Sequence, residues 1–148
     1  KCCESLLEVI GETGSIISYG TSEAQIIKQF MMWYPEHRDR LERVLTRIVN
    51  LEAIIRQYFY HPKFAGKTSI KKTLPVLVPE LNYDELSINE GYTASAAFML
   101  LLLGEVSINQ VAELRQDLLL YCERDSLAMV KLHRELLSLF EERKTNAQ

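Results

Sequence analysis

The chain has 148 residues, 47% hydrophobic and 25% charged, with a formal net charge of −3. That length suits one domain with a real core, and the composition is too apolar for a disordered chain. The acidic balance excludes a global basic footprint for nucleic acid and leaves room only for a local patch.

Cys2, Cys3, Leu6, Leu7, Val9 and Ile10 predict a short amphipathic helix, stopped by Gly11 and Gly14. Ser15 to Tyr19 is β-rich, and Gly20 ends it. Ser22-x-x-Gln25 has the form of a capping box, so a helix is expected from Glu23. It carries Ile26, Ile27, Phe30 and Trp33 and breaks at Pro35. A second helix, about 36 to 47, places Leu41, Val44, Leu45 and Ile48 on one face. Ile48 to Leu51 reads as a second short strand, followed by one or two helical turns through Tyr58. Tyr58 to Gly66 is a loop punctuated by Pro62. Ser69 caps a helix over 70–77, limited by Pro75 and Pro79. Thr93 or Ser95 opens an apolar helix that Gly104 closes. Ser107 or Asn109 then leads into a long helix over 110–140, which contains neither Gly nor Pro.

The expected fold is therefore α/β and predominantly helical, with about two short strands packed by helices in a single domain over 1–148. Two strands make no stable sheet alone. With no initiator Met and an opening that already reads as mid-helix, the chain is expected to be part of something longer. Ala96 to Leu103, the longest apolar run, is too short for a bilayer, and the first residues form no signal peptide. Three cysteines, two of them adjacent, give neither a disulfide framework nor zinc spacing. Together these point to a cytoplasmic protein without a membrane span.

Chemistry concentrates in three places. The stripe Val111, Leu114, Leu118, Tyr121, Met129, Leu132 and Leu136 marks one face of the last helix, and Asp125 falls on it. A carboxylate on an apolar face needs a cation, a metal or hydrogen-bond donors. The ordinary answer is a nearby Lys or Arg. Glu23 follows a strand end in the first turn of a helix, where the helix dipole favours a carboxylate and where α/β sheets also build sites. The third place is 61–72, which holds His61, Lys63, Lys67, Lys71 and Lys72 and no acid, beside Tyr58, Phe59, Tyr60 and Phe64. Cations interleaved with aromatics suit a single-stranded backbone and its bases. The plainer alternative is a solvated loop whose aromatics face the core. Cys122, next to the apolar stripe, is expected in the core.

Tyr121-x-x-x-Asp125 resembles the third motif of the ribonuclease-H-like 3′–5′ exonucleases of the DEDD superfamily, in their tyrosine variant. Ser69-Ile70-Lys71-Lys72-Thr73-Leu74 resembles the Ser-Leu-x-x-Leu helix of ribonuclease D, and Ile16 to Glu23 resembles the second motif. The chain is also similar, over nearly its whole length, to a bacterial domain family of unknown function placed in that superfamily. The matching runs include Tyr60-His61-Pro62-Lys63, Pro79-Glu80-Leu81 and Ala94 to Phe98. This resemblance implies a partial ribonuclease-H-like fold and a site that uses two Mg²⁺ or Mn²⁺ ions. Glu23 and Asp125 would be metal ligands, and Tyr121 would orient the attacking water. The first motif, D-x-E, is absent, and Gly20, Ser22 and Glu23 depart from the second. The resemblance thus implies a nuclease whose activity and metal binding need the rest of the parent protein, not this chain alone. The competing reading is a non-catalytic helical scaffold that kept a nuclease-like shape. The strand 15–19, deprived of its expected neighbours, is predicted to dimerise through its edge or to be covered by the chain's own helices.

Overall fold

The computed structural model describes residues 1–146. The chain is mostly helical with one small parallel sheet. It groups into two compact units, Lys1–Thr73 and Leu74–Gln148.

The first unit runs α1 (Cys2–Ile10), β1 (Ile16–Ser18), α2 (Ser22–Trp33), a 3-10 turn Pro35–His37, α3 (Arg38–Arg47), β2 (Ile48–Asn50) and α4 (Leu51–Tyr58). A second 3-10 turn, Pro62–Phe64, follows, and α5 (Ile70–Leu77) crosses the boundary between the units. The strands pair in parallel, Ile16 with Ile48, Ile17 with Val49 and Ser18 with Asn50. A parallel pair needs a crossover, which α2 and α3 supply. Cys3, Leu7, Ile27, Leu41 and Val44 form one buried cluster, with Ile16 and Phe30 among the residues packed on it. The 3.6-residue spacing of Leu41, Val44 and Leu45 puts the apolar side of α3 on that core and its charged side in water.

Local chemistry sets the element ends. The helix α2 begins at Ser22, one residue earlier than the capping box implies. Thr21 is its N-cap and makes no side-chain cap bond. Pro35 cannot continue α2 and instead opens the 3-10 turn. Asn50 ends β2 and caps α4, its Oδ1 accepting from the Ala53 N–H at 3.3 Å. The same oxygen accepts from the Gly20 N–H at 3.0 Å, so one side chain ties the exits of both strands. Ile16 and Ile17 are half-buried and Ser18 is buried.

The second unit contains α6 (Gly91–Leu103) and α7 (Ile108–Asn146). Gly104, at φ 69°, takes the left-handed cap conformation that ends α6. The short connection 104–107 makes the two helices an antiparallel hairpin, and they pack on each other. α6 starts at Gly91, ahead of the Thr93 or Ser95 expected from sequence. Ala128, Leu132 and Leu136 are the buried positions of α7, so the expected stripe is buried only in its later half.

Candidate functional site

Asp125 is half-buried on α7. Its partner is a phenol: the Tyr83 hydroxyl donates to Asp125 Oδ1 at 2.7 Å. Tyr83 is 7% exposed and comes from the irregular segment before α6. That segment is fastened to α7. Arg124 Nη1 donates to the Asn82 carbonyl, and Lys131 Nζ lies 3.5 Å from Glu80 Oε1. The last pair is well exposed and contributes little. The Tyr83–Asp125 bond has a charged acceptor and a buried donor, so it contributes more.

Tyr121 stands one turn before Asp125, as their spacing requires. Its ring centroid lies 6.1 Å from that of Tyr83. Burial, then the Asp125 charge and hydrogen bonding to it, push the Tyr121 phenol up to about 12. Burial and the hydrogen bond to Asp125 raise Tyr83 further. Both phenols therefore stay protonated at neutral pH. They can donate to and orient a ligand, but they cannot serve as bases there.

Tyr121 and Asp125 open onto a groove of about 870 Å³ between α6 and α7. Phe98, Leu102 and Leu118 give it an apolar floor, and Arg115 stands on its wall. Cys122 also lines it and is exposed, contrary to its expected place in the core. Gly91 sits close by, since a Cβ there would lie 3.5 Å from the Tyr121 hydroxyl.

Glu23 belongs to the first unit. It is exposed in the first turn of α2. At the same end of the sheet, the Tyr19 hydroxyl donates to the Thr68 carbonyl at 2.5 Å and lies 2.7 Å from Thr73 Oγ1. Thr68 Oγ1 in turn donates to Glu52 Oε1 at 3.1 Å. Ser18 Oγ is buried without a protein hydrogen-bond partner.

The basic stretch divides by side-chain type. Phe64 is buried, and Phe59 packs on it with ring centroids 5.9 Å apart. Tyr58 and Tyr60 point outward, 62% and 85% exposed, and Lys63, Lys67, Lys71 and Lys72 are exposed as well. His61 is half-buried against Phe64, and its Nδ1 accepts from the Lys63 N–H at 3.2 Å. That bond makes His61 the cap of the 3-10 turn.

The two-metal centre implied by resemblance needs several carboxylates around its ions. The groups bonded to or stacked beside Asp125 are neutral phenols. Among the described residues no three His, Cys, Asp or Glu side chains are placed to hold a metal.

The hydrogen-bonding roles of Tyr83, Asn50 and Tyr19 are not legible in the sequence. For the bond from Tyr83, the sequence offers only the demand of Asp125 for a donor, which names no donor. Periodicity could not supply it, because the segment around Tyr83 is irregular.

A family described as "Domain of unknown function (DUF2779)" matches residues 1–69. No curated protein matches the chain. No solved structure matches it. Among the described residues no helix is long and apolar enough to cross a membrane.

Proposed function

We propose that this chain is a nuclease-like domain that binds single-stranded nucleic acid through residues 58–72 and does not cut it unaided. The observation that carries this reading is the outward pair Tyr58 and Tyr60 beside the exposed Lys63, Lys67, Lys71 and Lys72. Exposed aromatics offer stacking faces to any base, and the lysines follow the phosphates. The inward Phe59 and Phe64 hold the loop in place without taking part. Binding of a labelled single strand, followed by fluorescence anisotropy, tests it. Tyr60→Ala should weaken binding by about 1–3 kcal/mol. Lys63→Ala with Lys67→Ala should lower the salt slope by roughly 1.4, at about 0.7 per phosphate contact on single strands. Absence of binding at low salt, or affinity unmoved by both variants, defeats the reading.

A second, catalytic reading is favoured by Tyr121 and Asp125 on the open groove. On this reading Asp125 is a metal ligand, Tyr121 orients a water by donating to it, and the missing carboxylates come from outside the chain. A manganese-dependent assay of the natural protein on labelled single strands is decisive. Asp125→Asn should abolish cleavage while leaving anisotropy binding intact. The ligand role that resemblance gives Glu23 is judged in the same assay by Glu23→Gln.

A further inference from the structure

The lysines of residues 61–72 sit at two places, around the 3-10 turn Pro62–Phe64 and in the first turn of α5. Buried Phe64 and the cap from His61 hold the 3-10 turn. Thr68 lies where the loop enters α5, with Lys67 just before it and Lys71 and Lys72 just after. Both of its polar groups are taken by side chains from distant segments. The Tyr19 hydroxyl, from the residue after β1, donates to the Thr68 carbonyl at 2.5 Å. Glu52 Oε1, in the first turn of α4, accepts from the Thr68 hydroxyl at 3.1 Å. The Tyr19 hydroxyl also lies 2.7 Å from Oγ1 of Thr73, which is buried on α5. The residues flanking Thr68 are exposed, so these bonds are what fastens this part of the loop. An acid beside a segment that takes phosphates would repel them. The place of Glu52 here is therefore geometric, and the dipole of α4 favours its charge.

We propose that Tyr19 and Glu52 are positioning residues for the strand-binding segment: by fixing Thr68 they set Lys67 against Lys71 and Lys72 before a strand arrives. This inference rests on the single-strand reading of residues 58–72. A loose junction would have to be ordered on binding, and that ordering would subtract from the affinity. Neither residue contacts the strand. Positioning and phosphate contact leave different marks. A lysine on a phosphate contributes to the salt slope, because it displaces counterions. A positioning residue shifts the affinity at every salt concentration and leaves the slope where it was.

Anisotropy of a labelled mixed-sequence single strand, DNA or RNA according to which the wild-type chain binds, tests the proposal across a salt series. Tyr19→Phe keeps the ring and removes the hydroxyl. It should weaken binding about 3–10-fold at each salt concentration, the equivalent of one hydrogen bond, with the slope unchanged. Glu52→Gln and Glu52→Ala remove the same charge, but only alanine removes the acceptor. Glu52→Gln should bind no more weakly than wild type, and Glu52→Ala about 3–10-fold more weakly than Glu52→Gln. Arg47→Lys loosens another fastening of the same unit and should bind as wild type does, which separates positioning from stability. Circular dichroism at the assay temperature shows each variant folded. A second readout needs no strand. Hydrogen exchange at the Lys67 amide, which donates to the Phe64 carbonyl at 3.0 Å, should quicken in Glu52→Ala and not in Glu52→Gln. Tyr19→Phe that binds as tightly as wild type overturns the proposal. So does a salt slope lowered by as much as one lysine contact, or equal binding by the two Glu52 variants, or an equal loss in Arg47→Lys. In each of these cases wild-type binding survives and only the positioning role falls. A wild-type chain that binds neither strand removes the reading of residues 58–72 itself, and this role with it.

Discussion

At the scale of single residues, the Tyr83–Asp125 bond is the best-defined polar contact of the second unit. Half-burial of Asp125 costs hydration, and one phenol hydroxyl offsets part of that cost. Tyr83→Phe keeps the ring and its contact with Tyr121 but removes the donor. We expect a loss of about 1–2 kcal/mol in denaturant unfolding at neutral pH, the usual range for a hydrogen bond to a charged group. The double variant Tyr83→Phe/Asp125→Asn should cost much less than the sum of the two single changes. Additive costs would mean that the bond is not the source of the effect.

At the scale of elements, Arg47 fastens the start of the first unit. It ends α3, and its guanidinium donates to the carbonyls of Ile10, Gly11, Thr13 and Gly14. Those carbonyls belong to the end of α1 and the turn after it. Gly11 and Gly14 make that turn possible, with φ of 63° and 84°. The planar guanidinium serves four acceptors at once, which a lysine ammonium cannot. Arg47→Lys should therefore destabilise the chain by about 1–2 kcal/mol in urea unfolding. Hydrogen exchange should quicken first at the Gly11 amide, which donates to the Leu7 carbonyl at 3.2 Å. An unchanged midpoint would show that solvent serves those carbonyls equally well.

For the molecule as a whole, three phenols set its behaviour at alkaline pH. Burial raises Tyr19 and Tyr121 to about 12, and raises Tyr83 beyond them. Each of these groups holds its proton more tightly folded than unfolded. Their contribution to stability is complete below the unfolded phenol value of about 10. It is lost as pH rises from there through the folded values. Absorbance titration of the phenolates should show these three tyrosines, of seven in the chain, lagging the ordinary range. They should then ionise together with loss of helical circular dichroism. Tyr83→Phe should remove one lagging phenol. Complete ionisation near pH 10 with the fold intact would contradict the burial of these rings.

The sequence by itself determined what is local. Steps of three and four located the helices, and Gly104 and Pro35 marked their ends. Two short β-rich runs gave both strands within a residue or two, and Ser69 opened α5 at Ile70. The one-turn spacing of Tyr121 and Asp125 was legible because a helix fixes it. The need of Asp125 for a partner followed from an apolar stripe. Tertiary structure alone decided who that partner is, because Tyr83 lies 42 residues away on an irregular segment. It alone decided that Asn50 joins two strand exits across 30 residues, and that Tyr58 and Tyr60 face out while Phe59 and Phe64 do not. It also left most of the apolar helix α6 exposed, with Ala97 buried. Periodicity is a property of neighbours along the chain, whereas hydrogen-bond partners and buried faces depend on which distant segments the fold brings together.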